Sequence, residues 1–538
     1  MTDFIFASRR SPVMGRNGMV ASSQPLATAA GLEILSFGGN AADAAVAVAA
    51  ALNVTEPTST GIGGDMFALF YDATSKQVTA LNGSGRAPSA LTLQRLQKES
   101  LKELPPFHAY TITVPGACAG WCDLIEKHGR LQMGRILAPA IHLAQHGFPV
   151  TPITAYFWER GVNRQLKTSL NGSELTIEGR APRAGEIFRN RGLASTFQKI
   201  ADGGRHAFYE GEIADAIVSV IQQAGGCLSR EDLALHFSTW EEPISVDYRG
   251  YQVWECPPNG QGLAALLALN LLEGFDLASF PPLSTERLHL QIEAMRLAFA
   301  DAGWYVADPQ FASISLKELL SKTYAEERRK LINPRKATLD QKHGTPVASS
   351  STVYFSVVDK DGNACSFINS NYMGFGTGIV PKGWGFSLQN RGHNFNLEVD
   401  HPNSLEPRKR PYHTIIPAMS TRKDGSLFAS FGVMGGSMQP QGHMQVFSAL
   451  VDDGLNPQSA LDQPRFCLEP EEDGSWVSLE EGISDKIMTA LKKRGHSTRK
   501  ISGWERALFG RGQIIVRERS GVLIAGSDPR ADGCAMTL

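Results

Sequence analysis

The spacing of apolar side chains divides the chain into a run of helix and strand signals. Gln24–Phe37 and Ala41–Leu52 have helical character, and Gly38-Gly39 closes the first as a helix C-terminus would. Met66–Tyr71 and Gln77–Leu81 read as short strands. Helical patterns dominate from Ala117 to Leu331, most clearly at Leu263–Leu272 and Thr285–Ala302, with strand signals at Ile244–Trp254. Leu427–Val433 is strand-like and leads into Gly435-Gly436, and a helical pattern follows from Gln441. The most apolar run, Asn40–Val54, is mostly alanine, is interrupted by Asp43 and is shorter than the roughly 20 residues that cross a bilayer. It predicts a core helix of a soluble protein. No repeat and no low-complexity tract is visible.

One segment breaks the pattern. Arg335–Ser351 is polar and carries Gly344, Pro346 and a run of serines, the composition of an exposed linker. It reads either as an interdomain loop or as a tail that ends at a processing point. Directly after it, Thr352–Val358 and Asn363–Ser370 are strand-like runs on either side of Asp359-Lys-Asp-Gly362, a turn signal. If the turn is centred between Lys360 and Asp361, Ser370 lies opposite Ser351 or Thr352, where facing Cβ atoms are roughly 4.5–5.5 Å apart. Two hydroxyls then sit side by side at the open end of a hairpin. That suits an N-terminal nucleophile: a cut before Thr352 frees an α-amine with a pKa of about 7.7–8.0, able to take the hydroxyl proton. The same residues also describe an ordinary strand that begins with Thr and pairs with Ser.

Other polar positions carry candidate chemistry beside plainer readings. Gly435 and Gly436, at a strand-to-helix turn, offer successive N–H groups to an oxyanion, or simply make a tight turn. Gly61-Ile-Gly-Gly-Asp65 lacks nucleotide-loop spacing and favours close backbone packing. Arg86, in a turn, can grip a carboxylate or face solvent. Arg391 with His393, and His413 with Thr414, occupy loop-like stretches as substrate contacts or satisfied polar residues. No His-x-x-x-His or Glu-x-x-His pattern points to a metal, and neither metal nor cofactor is expected.

Composition narrows the function classes. The 52 Lys plus Arg against 54 Asp plus Glu give a net charge of −2, which argues against a nucleic-acid or anionic-membrane binder. With 538 residues and 42% apolar side chains, a large core or several structural units is expected. Phe4–Ala7 is too short for a secretory core and the C-terminus carries no lipidation signal, so a cytoplasmic protein is expected. Seven cysteines, at 118, 122, 227, 256, 365, 467 and 534, form no zinc set and read as reduced, mostly buried thiols.

Seven stretches together resemble the γ-glutamyltransferase (glutathione hydrolase) proenzymes over nearly the whole chain. They are GLEILSFGGNAADAAVAVAAALNVTEPTSTGIGGD (31–65), GRAP (85–88), TVYFSVVDKDGNACSF (352–367), GFGTGIV (374–380), KRP with IIPAM (409–419), VMGGSMQPQ (433–441) and GSDPR (526–530). The resemblance implies an α+β, four-layer αββα N-terminal-nucleophile hydrolase. Such a protein cuts itself between Ser351 and Thr352 into a large subunit, 1–351, and a small subunit, 352–538, which stay associated. It implies Thr352 as nucleophile, Ser370 as the hydroxyl bonded to it, Gly435 and Gly436 as the oxyanion hole, and Arg86 as the arginine on the substrate α-carboxylate.

The departures from the family pattern bear on specificity. Where members hold the substrate α-amino group with an Asn, a Gln or Glu, and an Asp, this chain has Tyr372, Arg391 and Asn394. The paired serines at the carboxylate are His413 and Thr414, and Asn396–Pro407 is too short for the lid loop of many members. The pattern is most similar to a cytoplasmic γ-glutamyltransferase-like branch. It implies a self-processing amide hydrolase or acyltransferase for a γ-glutamyl compound, with a small acidic amide such as oxamate, or a glutaryl or cephalosporin amide, as alternative substrate. An unprocessed binding protein on the same fold is the alternative of another class.

Overall fold

The computed structural model describes residues 10–339, 351–471 and 474–538. Phe4–Ala7 and the 340–350 stretch of the polar segment lie outside the described residues. Two seven-stranded sheets form the centre. The first runs in the order Cys534–Thr537, Gly18–Ser22, Ser351–Asp359, Ala364–Tyr372, Asp65–Asp72, Gln77–Gly83, Thr239–Glu241. The second runs Val13–Gly15, Leu523–Ser527, Arg511–Arg517, Leu427–Met434, Ala418–Arg422, Tyr251–Glu255, Ile244–Tyr248. Their inner faces meet along the Ser351–Asp359 and Leu427–Met434 strands, where Ser356 Oγ donates to Ser430 Oγ at 2.5 Å. Gly432 is needed there, because a Cβ would lie 2.5 Å from the Tyr354 ring.

Helices cover both outer faces. Pro25–Ser36, Ala41–Thr55 and Met133–His146 build the layer on the first sheet, and Gly262–Leu272, Thr285–Tyr305 and Met438–Val451 the layer on the second. The result is a four-layer αββα sandwich of the N-terminal-nucleophile hydrolase type. Each helix has a local cause. Pro25–Ser36 ends in a Schellman turn: Gly39 N–H donates to Ile34 O at 3.0 Å, Gly38 N–H to Leu35 O at 3.1 Å, and Gly38 takes φ +91°. Ala41–Thr55 is buried along its whole length, as its alanine content predicts. Asp43 does not interrupt it. Its carboxylate completes a capping box with Asn40 and also accepts from Arg130 N–H and Leu131 N–H.

Ile244–Trp254 resolves into two strands, Ile244–Tyr248 and Tyr251–Glu255, and the helix after the glycine pair begins at Met438, three residues earlier than its periodicity predicts. Strands from before and after residue 351 share both sheets. All seven cysteines are free thiols, four buried and three partly buried. No described helix is long and apolar enough to cross a membrane.

Three buried histidines make stability pH-dependent. Burial pushes His413, His443 and His496 down to about 3. The unfolded chain protonates each near 6.5, so it binds more protons than the folded chain between about 3 and 6.5, and stability falls as pH drops through that window. Each histidine contributes up to about 1.4 kcal/mol per pH unit there. Urea midpoints should therefore decline between pH 6.5 and 4, with a shallower slope in His443→Gln. Midpoints that stay flat, or an unchanged slope in the variant, would refute this assignment.

Candidate active site

The hairpin 351–372 sets the geometry. Asp359 N–H donates to Asn363 O at 3.0 Å, enclosing Lys360, Asp361 and Gly362, with Gly362 at φ +89°. The loop thus holds three residues, where the sequence places the turn between Lys360 and Asp361. Val353 pairs with Asn369, Ser351 pairs with Tyr372, and a bulge lies between them, which leaves Thr352 beside Ser370. Thr352 is 0% exposed, and its Oγ1 donates to Ser370 Oγ at 3.2 Å.

Ser370 Oγ is held by two further donors: Tyr372 N–H at 2.8 Å and Arg391 Nη2 at 3.2 Å. Arg391 comes from a short 3-10 turn, Arg391–Asn394, and is fully buried. Its Nη1 donates to Thr414 Oγ1 at 2.6 Å, and the guanidinium stacks 4.3 Å over the Tyr372 ring. Burial lowers its pKa to about 10, opposed by the Asp65 charge. Tyr372 sits at φ +78°, a costly conformation for a bulky residue that persists only where surrounding contacts fix it. Its hydroxyl is buried beside Asn394, and burial raises its pKa to about 12. Asn394 Nδ2 donates to Tyr412 O at 3.0 Å.

Beneath this cluster lies Asp65, which faces Ser370 across the sheet. Its Oδ1 accepts from Gly85 N–H (2.9 Å), Gly116 N–H (3.3 Å) and Gln389 Nε2 (3.0 Å), and its Oδ2 meets His413 Nε2 at 3.0 Å. Asp65 and Gln389 escape sequence reasoning. The available signal was an acid ending the 61–65 glycine cluster directly before a strand. The close packing read from that cluster is present: a Cβ on Gly64 would lie 2.2 Å from Ser370 O.

Two of the candidate substrate contacts have protein partners in the structure. His413 is a satisfied polar residue: its Nδ1 accepts from Ile415 N–H at 3.3 Å while Nε2 is on Asp65. Arg86 does not join the cluster. Its Nη1 donates to Phe237 O at 3.1 Å, its guanidinium lies 4.4 Å over the Phe237 ring, and it lines a separate 350 Å³ cleft with Asp232 and Phe311. The physical reason is the local turn: Val114 N–H donates to Arg86 O at 3.0 Å and Ala87 N–H to Lys409 O at 2.8 Å, which fixes the backbone, and the aromatic face of Phe237 takes the cation.

Gly435 and Gly436 take φ +134° and +60° and open the Met438–Val451 helix, their carbonyls accepting from Met438 N–H and Gln439 N–H. Gln261 Nε2 ties the pair to the arginine cluster by donating to Gly436 O (2.8 Å) and Thr414 O (2.6 Å). Two clefts flank this core. One of about 790 Å³ is lined by Asn394, Tyr412, Thr414 and Ser437, and one of about 840 Å³ by Met373, Gly374 and Gly435.

Elsewhere, His289, Glu293 and His496 approach one another as metal-ligand types can. They already serve each other and their surroundings. His289 Nδ1 and His496 Nε2 share a hydrogen bond at 2.8 Å, His289 Nε2 bonds Asn333 O, and Arg296 lies 3.4 Å from Glu293 Oε1. A cation there would have to displace the arginine's positive charge.

Comparison with known proteins agrees with this architecture. Residues 27–538 match the profile described as gamma-glutamyltranspeptidase. A glutathione hydrolase-like proenzyme, YwrD, of Bacillus subtilis is 38% identical over 98% of this chain and 99% of its own. The oxamate amidohydrolase proenzyme of Klebsiella pneumoniae is 30% identical over 96% and 98%. The crystal structure of cephalosporin acylase from Bacillus halodurans superposes with a TM-score of 0.93 at 47% identity, covering 100% of this chain and 99% of that one. With similarity of this extent along one continuous fold, the chain belongs to the gamma-glutamyltranspeptidase family.

Proposed function

We propose that this protein is a self-processing amide hydrolase or acyltransferase, γ-glutamyltransferase-like, with Thr352 as its nucleophile. The observation that carries the reading is the buried Thr352 Oγ1 at 3.2 Å from a Ser370 oxygen that two N–H donors fix in place. In the first reaction Thr352 Oγ1 attacks the Ser351 carbonyl carbon. The Ser351–Thr352 C–N bond breaks, the nitrogen gains a proton to become the α-amine, and water hydrolyses the resulting ester. In later turnovers that amine takes the Thr352 hydroxyl proton as Oγ1 attacks the substrate amide and passes it to the leaving amine. Water then releases the acyl group, or an amine acceptor takes it. Gly435 and Gly436 N–H groups receive the oxyanion, helped by the positive end of the Met438–Val451 helix. Residues 1–351 and 352–538 then form a heterodimer, for which the support is that both contribute strands to each sheet. Substrate is a small amide, no nucleic acid or membrane takes part, and the compartment is the cytoplasm.

A second reading of substrate rests on Arg391. Its buried cation stands beside the nucleophile's partner, and Asp65, the carboxylate that supports it, already accepts four hydrogen bonds. A γ-glutamyl ammonium would meet positive charge without a dedicated acid, whereas an anionic amide lacking that ammonium would not. Oxamate, named for one relative, and glutaryl amides fit this description.

Thr352→Ala should yield one full-length band on a denaturing gel where wild type gives two, the smaller beginning at Thr352. Efficient cleavage at the same bond in purified Thr352→Ala would sink the nucleophile assignment. For folded, processed Gly436→Pro, which lacks one N–H, turnover should fall roughly a hundredfold or more, and near-normal turnover would move the oxyanion site elsewhere. In a substrate panel, des-amino glutaryl anilide should exceed γ-glutamyl anilide in kcat/KM by about tenfold or more, equivalent to about 1.4 kcal/mol. Glutathione and γ-glutamyl anilide as the better substrates would discard the second reading and leave the first standing.

A further inference from the structure

Each Nη group of Arg391 gives one of its two N–H bonds to a protein hydroxyl, Ser370 Oγ at 3.2 Å and Thr414 Oγ1 at 2.6 Å, and its plane rests on Tyr372. This geometry is that of a support as much as of a substrate contact. A serine hydroxyl has two acceptor lone pairs and one proton. Tyr372 N–H and Arg391 Nη2 are donors that cannot reverse, because neither a peptide N–H nor a guanidinium accepts. Together they occupy the two lone pairs of Ser370 Oγ. The Thr352 Oγ1 donation to that oxygen, at 3.2 Å in the resting chain, competes for the same lone pairs and is the one bond of the three that can reverse. Once the Thr352 proton leaves, the bond can persist only with Ser370 as donor.

We infer that Arg391 is a positioning residue for the nucleophile: with Tyr372 N–H it saturates Ser370 Oγ, so that the Ser370 hydroxyl turns to donate to Thr352 Oγ1 as charge develops there. The inference rests on the nucleophile reading above. The atoms balance simply. The Thr352 hydroxyl proton goes to the Thr352 α-amine during substrate turnover, the Ser370 proton rotates into the Oγ–Oγ1 line without leaving its oxygen, and Arg391 transfers nothing. The same hydrogen bond steadies Thr352 Oγ1 when it departs from the acyl-enzyme. A cation on Ser370 Oγ strengthens that donor, since hydrogen bonds from charged groups polarise the next bond in the chain. Thr414 and the Tyr372 ring hold the guanidinium in place, and Gln261, bonded to Thr414 O and Gly436 O, joins this support to the proposed oxyanion turn.

Self-cleavage separates this role from substrate recognition, because no external substrate takes part in it. Precursor decay after cell-free synthesis should slow at least tenfold in Arg391→Met and in Ser370→Ala, and the double variant should be no slower than Ser370→Ala alone. Arg391→Lys, which keeps a cationic donor, should restore most of the rate. Among processed variants, the loss should appear in kcat more than in KM, and it should vanish in the Ser370→Ala background. If Arg391→Met fails to fold by circular dichroism and gel filtration, Arg391→Lys carries the same cycle with a smaller effect. Losses that multiply in the double variant, normal cleavage in Arg391→Met, or a change confined to KM would overturn the inference. Absence of cleavage in wild type would instead remove the nucleophile reading itself.

Discussion

A single buried carboxylate holds the site together. Asp65, at 0% exposure, is tolerable in the core only because it accepts from two backbone amides, a glutamine amide and an imidazole. Those four donors come from the turn after the Gln77–Gly83 strand, the entry to the Ala117–His128 helix, the loop before the Arg391 turn, and the segment before the Ala418–Arg422 strand. Each would otherwise approach the Ser370 strand independently. The carboxylate gives them one common point, and it supplies the countercharge that lets Arg391 lie in the interior. Removing it would leave several buried donors unpaired and one buried cation without its countercharge at once, so its effect would spread well beyond one contact.

On that foundation the chemistry is arranged as a short polar chain: Thr352, Ser370, Arg391, Thr414, with the Tyr372 ring beneath. The outer helices do not enter it. They give the sheets enough buried apolar surface that a polar cluster and a strained Tyr372 can be carried in the middle. The Ala41–Thr55 helix shows the trade. Its small residues let it lie close, and Gly31 of the neighbouring helix comes so near that a Cβ there would meet Val48 at 2.6 Å.

Legibility in the sequence followed locality. Thr352 and Ser370 could be paired because a hairpin's register is set by its own turn, and the one-residue offset in that turn changed little, since the register it sets carries Thr352 towards Ser370. Helices with a cap, such as Gln24–Phe37 before Gly38-Gly39, were readable for the same reason. The surroundings of Arg86 were not legible because nothing in its own turn reveals that Phe237, 151 positions away, receives it. Asp65 was missed because its worth comes from donors as far as 348 positions distant. The Arg391 substitution was visible, but whether its guanidinium meets substrate or protein depends on Ser370 and Thr414 converging, which is tertiary information.

The junction at Ser351–Thr352 has a consequence for quality control. The bond proposed for cleavage lies at the start of the Ser351–Asp359 strand, third of seven in the first sheet, and the proposed nucleophile is supported by residues drawn from along the whole chain. A molecule that is misfolded anywhere along that network lacks the alignment to cut itself. If the chain cuts itself there, as proposed, maturation works as a proofreading step: a free Thr352 amine would record that this individual molecule once folded well enough to perform its chemistry on itself. Molecules that fail remain single chains, distinguishable by covalent structure from those that passed.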